Sequence, residues 1–183
     1  LTPVVDVARD PRWGRVEETY GEDPFLVSQL GIAAVRGFQG DGNFKNKNRV
    51  IATLKHFAAH GQPESGMNCA PVNISERVLR ETFLFTFKEA IQKADAISVM
   101  ASYNEIDGVP SHASEWLLRD ILRKEWKFKG FVVSDYYSIW ELHHRPDTHG
   151  HFVAKDKKEA CELAVKAGVN IEFPEPDCYL HLV

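Results

Sequence analysis

Six residues with charged, polar or aromatic side chains could form a site for sugar chemistry in this sequence: Trp13, Arg15, Lys55, His56, Tyr103 and Asp135. Each lies at or soon after the end of a short apolar run. A charged side chain at the end of a buried strand is costly unless it is paired with another group or binds a ligand. A carboxylate beside cations and a flat ring suits a sugar, because sugars offer hydroxyls for ionic hydrogen bonds and apolar C–H faces for stacking. The sequence therefore indicates a candidate carbohydrate site around Asp135.

Each of these residues also has a purely structural interpretation, and spacing alone does not separate the two. Asp135 could cap a following helix. The pair Lys55 and His56 could be satisfied by backbone groups at a strand end. Arg15 could form a salt bridge with one of three nearby glutamates, Glu17, Glu18 or Glu22. Trp13 could be a core residue.

The elements that would position these residues alternate between short apolar runs and longer amphipathic patterns. The runs do not alternate in polarity, which predicts strands buried on both faces. The predicted strands cover residues 3–8, 50–57, 96–101, 131–134 and 169–173. Helices are predicted to begin at Asp23 with Pro24, at Ser75, at Ser114 and at Asp156, and the last to end at Gly168.

This β-α alternation predicts an α/β fold with parallel strands and right-handed crossovers. Two architectures remain, an open doubly wound sheet and part of a (β/α)8 barrel. No strand leads into a glycine-rich nucleotide-binding motif, which favours the barrel. A complete barrel needs about 250 residues, so 183 residues suit a partial TIM-type barrel of about five strands. In either architecture the carboxyl ends of the strands share one edge, which would bring the candidate residues together.

Composition excludes several other classes of protein. The chain has 22 Lys and Arg against 26 Asp and Glu, and 44% of its residues are hydrophobic. Its net charge of −4 and the absence of a basic stripe argue against nucleic acid as a partner. No apolar stretch is long enough for a transmembrane helix, so no membrane partner is expected. The three cysteines, Cys69, Cys161 and Cys178, are too widely spaced for a metal motif or a disulfide framework.

Four motifs, taken together, resemble the amino-terminal barrel of glycoside hydrolase family 3. They are D-V-A-R-D-P-R-W-G-R-V-E-E-T-Y-G-E-D-P from Asp6, K-H-F-A-A-H-G from Lys55, S-Y-N-E-I-D-G-V-P from Ser102 and G-F-V-V-S-D-Y from Gly130. A fifth motif, A-G-V-N-I-E-F-P from Ala167, is similar to the family's next strand end. The motifs occur in the family's order and cover nearly the whole chain.

The resemblance implies roles for five residues. Asp135 corresponds to the catalytic nucleophile of a retaining exo-acting β-glycosidase that releases terminal β-D-glucosyl or β-D-xylosyl residues. Lys55, His56 and Arg15 correspond to residues that bind the sugar, and Tyr103 to a tyrosine beside the nucleophile. The substrate class is an oligosaccharide or glycoside, and the family implies no metal and no cofactor.

The resemblance also implies that part of the catalytic machinery lies elsewhere. In most of the family the acid/base Glu comes from a second, α/β-sandwich domain, and another sugar-binding Asp belongs to an earlier strand end. The chain starts at Leu1 in a strand-like run and stops in another apolar run. We therefore expect residues 1–183 to be one domain and an internal fragment of such a barrel, inactive alone. For the full-length protein the resemblance implies a periplasmic or secreted location.

Three further features bear on the branch and on alternatives. The sequence K-H-F-A-A-H-G-Q from Lys55 differs from the K-H-F-P-G-H-G-D pattern of the β-N-acetylglucosaminidases. This difference favours the bacterial β-glucosidase and β-xylosidase branch. In that branch His60 is expected to be a structural or pocket-wall residue. The histidines of the loop 143–151, with Asp147, could ligate zinc but are expected to form a solvated or aglycone-side loop. The alternatives to a glycosidase are a carbohydrate-binding, non-hydrolytic fragment and an unrelated barrel enzyme that uses Asp135 as a general base.

Overall fold

A computed structural model of the chain describes residues 1–40, 42, 44, 47–145 and 149–182. Its centre is a parallel sheet of four strands: β1 (Thr53–Phe57), β2 (Ser98–Ala101), β5 (Phe131–Tyr136) and β6 (Ile171–Phe173), in that spatial order. Two short strands, β3 (Glu105–Ile106) and β4 (Val109–Pro110), form an antiparallel hairpin between β2 and β5 in the chain. The α/β class and the parallel sheet are therefore confirmed.

Five helical elements connect the strands. They are α1 (Pro24–Gln39); α2, which joins the segments Glu76–Val78, Leu79–Phe83 and Leu84–Ala94 without a break; α3 (Trp116–Glu125); α4 (Ser138–Glu141); and α5 (Lys157–Ala167). The middle of α2 and all of α3 have π-type hydrogen bonding. Short 3-10 turns occur at Val16–Glu18, Glu64–Gly66, Ser111–Ala113 and Cys178–Leu182.

The predicted helix starts are confirmed by side-chain hydrogen bonds. Asp23 accepts from the backbone N–H of Leu26, Ser75 from that of Val78, and Asp156 from that of Glu159. Ser114 accepts from the N–H of Leu117, although α3 itself begins at Trp116. These caps satisfy backbone N–H groups that a helix leaves without an internal partner. Gly168 follows α5 with a φ of 109°, as its predicted helix-ending role requires.

The strand count differs from the prediction, because the first apolar run is not a full strand. A single parallel bridge joins Val4 to Lys55, supported by the hydrogen bond from Val5 N–H to the Lys55 carbonyl at 2.8 Å. The sheet thus has four strands rather than about five, and it is open rather than closed into a barrel. Three other strands are shorter than predicted at their amino ends, whereas β5 continues to Tyr136 and includes Asp135.

The core lies between the sheet and its helices. Phe57 of β1 packs edge-on against Phe87 of α2 and against Trp126, with ring centroids 5.0 and 5.8 Å apart. Gly61 allows the segment after β1 to approach the first run closely, since a Cβ there would lie 2.2 Å from the carbonyl oxygen of Val7. This contact holds the carboxyl end of the first run beside that of β1 and so brings their polar residues together.

Two segments of the chain have linker-like sequences. They are residues 41–48 and 143–151, and each contains residues outside the described part of the chain. In the second segment these include Pro146 and Asp147. Among the residues that the structure does describe, no helix is long and apolar enough to cross a membrane.

Candidate active site

Asp135 lies at the carboxyl end of β5 with its side chain 12% exposed. Its Oδ1 accepts a hydrogen bond from the N–H of Tyr136 at 2.8 Å. Its Oδ2 is buried and has no hydrogen-bond partner among the described residues, and His56 Nε2 lies 3.6 Å from it. Asp135 is not a helix cap, because α4 begins after Tyr137 without a side-chain cap. One oxygen is therefore anchored by a hydrogen bond, while the other is buried without one among the described residues.

His56 is held by Asp6, which ends the first apolar run. His56 Nδ1 and Asp6 Oδ2 are 2.7 Å apart, and the other carboxylate oxygen of Asp6 accepts the backbone N–H of His56 at 3.1 Å. Both side chains are 1% exposed. Burial raises the pKa of Asp6, but the charge and hydrogen bonds of His56 outweigh it and lower the pKa below its ordinary value. Asp6 is thus an ionised anchor that keeps a proton on His56 Nδ1.

Arg15 connects three groups of the site. Its guanidinium donates two hydrogen bonds to Glu18, at 2.7 and 2.9 Å, so one of its predicted structural partners is confirmed. The same guanidinium lies 3.0 Å from Nε2 of His56 and 3.0 Å from Nε2 of His60. Because arginine only donates, both ring nitrogens must accept, which places the proton of each neutral ring on Nδ1. Burial lowers the pKa of Arg15, yet Glu18, Asp135 and Asp6 together raise it.

His60 and Trp13 form the wall behind this arginine. Burial, with the charges of His56 and Arg15, lowers the pKa of His60 to about 3, so the ring is neutral. Trp13 is 2% exposed, packs edge-on against His60 and donates from Nε1 to Asn68 Oδ1 at 3.0 Å. The structural interpretations of both residues are confirmed, and the expectation that Trp13 offers an open stacking surface is wrong for this structure.

Tyr103 follows β2 and reaches across to β5, where its hydroxyl donates to the carbonyl of Tyr136 at 3.0 Å. Burial and the charge of Asp135 raise the pKa of Tyr103, so its hydroxyl stays protonated. His151 supports the same tyrosine, because its Nε2 lies 2.9 Å from the Tyr103 carbonyl and its Nδ1 lies 3.1 Å from Glu105. The loop after α4 therefore packs onto the end of β2.

Lys55 lies in β1 beside His56 but faces a different neighbour. No ion pair joins Lys55 to Asp135, both of which the structure describes. The charge of Lys55 acts instead on Glu18, whose pKa is lowered mainly by Arg15 and further by Lys55 and His56. The structure thus brings Arg15, His56 and Tyr103 around Asp135, whereas the described residues show no ion pair between Lys55 and Asp135.

Several residues of this arrangement were not assigned a role from the sequence. Asp6 was recognisable as a polar residue at the end of an apolar run, but its contact with His56 joins residues fifty positions apart. Glu18 was one of three equivalent glutamates. His112, whose Nε2 accepts the N–H of Asp135 at 3.2 Å, follows no apolar run and carries no spacing signal.

Glu141 is a buried carboxyl near the site. It is 2% exposed, and burial raises its pKa to about 7, an effect that Arg145 opposes and the charge of Asp135 strengthens. His149 Nε2 lies 3.3 Å from Glu141, yet burial also lowers the pKa of His149. Burial thus favours neutral forms of both groups over an ion pair.

Among the described residues, the remaining candidates form no separate site. The histidines of the loop 143–151 point to different partners: His143 to the carbonyl of Ala154, His144 to the ring of Phe152 and His151 to Glu105. Within the described residues no three ligand-type side chains are grouped as a metal would require. All three cysteines are free thiols, and burial raises the pKa of Cys69 to about 12.

The family model for the glycosyl hydrolase family 3 N terminal domain matches residues 1–183. The chain belongs to this family. It is 44% identical over 174 residues to a β-xylosidase of Formosa agariphila, and 38% identical over 173 residues to a periplasmic β-glucosidase of Salmonella typhimurium. Each alignment covers 94% of this chain, and the chain spans only 23% and 22% of those relatives.

Solved structures of the family have the same fold. A β-glucosidase from Listeria innocua superposes with a TM-score of 0.92 and 42% identity, over 99% of this chain and 24% of that protein. The resemblance to family 3 is therefore confirmed. The relatives are named as β-glucosidases and β-xylosidases, the branch that the sequence favoured. An unrelated barrel enzyme, the alternative considered from the sequence, is excluded.

Proposed function

We propose that the protein containing this chain is a retaining, exo-acting β-glycosidase that removes terminal β-D-glucosyl or β-D-xylosyl residues, with Asp135 as nucleophile. The observation that carries the proposal is the asymmetry of the Asp135 carboxylate. Oδ1 is tied to the N–H of Tyr136, whereas Oδ2 has no hydrogen-bond partner within the described residues. This asymmetry supports the proposal because a nucleophile needs a side chain held in a single orientation and an oxygen that is not already committed to another hydrogen bond.

The proposed reaction has two steps. In the first, Asp135 Oδ2 forms a bond to the anomeric carbon while the bond from that carbon to the leaving oxygen breaks and an acid protonates that oxygen. In the second, water attacks the glycosyl-enzyme, its proton passes to the same acid/base group, and Asp135 leaves as a carboxylate. The acid/base is expected to be a Glu of a second domain, as the family resemblance implies.

The other sequence-predicted residues would bind the sugar around this carboxylate. Arg15 and His56 lie on the Asp6 side of Asp135, where the guanidinium supplies positive charge and the imidazole a fixed polar edge. Tyr103 would border the opposite side with a hydroxyl that remains a hydrogen-bond donor. Lys55 would reach a sugar hydroxyl from the rim.

The relatives support the substrate class and the architecture. The Listeria innocua β-glucosidase has been crystallised with glucose and with isofagomine. We infer that the open four-stranded sheet is an arc of the (β/α)8 barrel of family 3, and that residues 1–183 form part of that single domain. The alternative function is that of a protein that binds sugars without hydrolysing them.

The test is the Asp135→Asn variant of the full-length protein, assayed with aryl β-glucosides and β-xylosides. We expect kcat to fall by about 10⁴-fold or more, because the amide cannot form the glycosyl-enzyme. Asp120→Asn, at an exposed position paired with Lys124, is the matched control and should retain activity. Wild-type protein that binds these sugars stoichiometrically without turnover would contradict the proposal.

A further inference from the structure

His112 is a buried histidine in direct contact with the backbone of the proposed nucleophile. It is 1% exposed, and its Nε2 accepts the N–H of Asp135 at 3.2 Å. The ring also lies within hydrogen-bonding range of the backbone of Ser102. The imidazole therefore lies between the end of β2 and the end of β5 and bonds directly to the backbone of Asp135.

This bridge lies where the regular pairing of the two strands stops. The parallel register pairs Ser98 with Phe131, Val99 with Val132 and Met100 with Val133. The same register extended by two residues would set Ser102 opposite Asp135. At this position the N–H of Asp135 is bonded to Nε2 of His112 rather than to the neighbouring strand, so the imidazole replaces a strand-to-strand contact.

The β3–β4 hairpin brings His112 into this position. Asp107 and Gly108 have positive φ values of 48° and 81°, the conformation that a tight two-residue hairpin turn needs. The chain then returns antiparallel to itself, and Ser111 closes it by donating from both its N–H and its hydroxyl to the Asn104 carbonyl. Val72 extends the hairpin through a hydrogen bond to Glu105. The next residue after this closure is His112.

The charge state of His112 is fixed by its surroundings. Nε2 accepts a hydrogen bond from a backbone amide, so the proton of the neutral ring is on Nδ1. Burial, together with the charge of His151, lowers the pKa of His112 to about 3, although the bond to Ser102 opposes this effect. His112 is therefore a neutral ring whose Nε2 accepts and whose Nδ1 can donate.

We propose that His112 is a positioning residue that sets where the Asp135 carboxylate stands relative to the sugar. The inference rests on the proposed role of Asp135 as nucleophile. With its N–H held by His112 and its Oδ1 held by Tyr136, Asp135 is fixed at both its backbone and its side chain, and Oδ2 is left without a hydrogen bond among the described residues. Small displacements of a reacting atom are costly, and about 1 Å can lower a rate about 100-fold.

The test uses full-length protein with His112→Leu and His112→Gln, and measures the rate of inactivation by a dinitrophenyl 2-deoxy-2-fluoro-β-glycoside. This rate reports attack by the nucleophile, because the good leaving group needs no acid. We expect His112→Leu to lower it about 10- to 100-fold with little change in substrate KM. His112→Gln offers an acceptor and a donor at similar reach and should recover most of the rate. Neither variant should shift the pH profile.

His143→Leu is the matched control, because His143 also bonds a backbone carbonyl, that of Ala154, and has no hydrogen bond to Asp135 among the described residues. If His112→Leu fails to fold, His112→Asn, which is too short to reach both partners, takes its place and should be equally slow. A wild-type inactivation rate in the Leu variant, or a folded Gln variant as slow as Leu, would overturn the proposal. Absence of any Asp135 label in the wild-type protein would instead overturn the proposed function.

Discussion

The carboxylate of Asp6 lies 2.7 Å from Nδ1 of His56 and also accepts the backbone N–H of the same residue. Asp6 therefore fixes both the position and the tautomer of the histidine that faces Asp135. The edge of the ring turned toward the site carries the Nε2 acceptor, which Arg15 meets at 3.0 Å. Asp6, His56 and Arg15 form one chain of contacts that ends at the proposed nucleophile.

The first prediction concerns this anchor. Asp6→Asn should lower kcat/KM about 10- to 100-fold, because an amide can present its NH2 group to His56 and favour the wrong tautomer. The low pKa of Asp6 keeps the wild-type carboxylate ionised throughout an ordinary assay range, so the loss should be the same at every pH between 5 and 8. Steady-state kinetics with an aryl glycoside measures it.

Asp23→Asn serves as the control for Asp6, since asparagine caps a helix as well as aspartate does. Its kinetic constants should match those of the wild type. Equal activity of the Asp6 and Asp23 variants would show that the orientation of His56 does not matter to the reaction.

The second prediction concerns Arg15. Arg15→Lys should raise KM and lower kcat/KM about 10- to 100-fold. A single ammonium group cannot form two parallel hydrogen bonds to Glu18 and also donate to the rings of His56 and His60. Arg12→Lys is the matched control, as Arg12 makes the same type of fork with Asp10 at the surface. Similar kinetics for both variants would exclude a role for Arg15 beyond surface charge.

The third prediction concerns stability and pH. The folded protein holds the proton of Glu141 more tightly than the unfolded chain, because burial raises its pKa to about 7 from an ordinary 4.5. The stability that this proton binding contributes is complete below about pH 4.5 and is lost as the pH rises through about 7, by up to about 3 kcal/mol. Glu141→Gln should therefore remove much of the decline in Tm between pH 5 and pH 8.

Thermal unfolding of the two proteins over a pH series measures this effect. Glu125→Gln, an exposed glutamate paired with Arg80, should leave the slope of Tm against pH as in the wild type. A Glu141→Gln variant with an unchanged slope would show that the carboxyl is already ionised in the folded protein at low pH.

The helices and the order of the elements could be predicted because their signals are local. Asp23, Ser75 and Asp156 each cap the turn that follows them, within three residues of sequence. The first apolar run was harder, since a run of this composition is compatible with a full strand. Only its tertiary position, with one bridge from Val4 to Lys55, decides that it is not one.

The candidate site was predictable in part for a physical reason. The carboxyl ends of parallel strands meet at one edge, so His56, Tyr103 and Asp135 had to lie near each other once the strands were assigned. His112 could not be found in this way, because a hairpin rather than a strand delivers it. The burial of Trp13 was also beyond the sequence, since it depends on contacts with His60 and Asn68 that come from another loop.

The most direct test of the account is to identify the carboxylate that becomes covalently glycosylated. Full-length protein is inactivated with an activated 2-deoxy-2-fluoro-β-glucoside or β-xyloside, digested and mapped by mass spectrometry. We expect one sugar per chain, attached to Asp135 in the peptide that contains G-F-V-V-S-D-Y. Attachment to any other carboxylate, or turnover without a covalent intermediate, would contradict it.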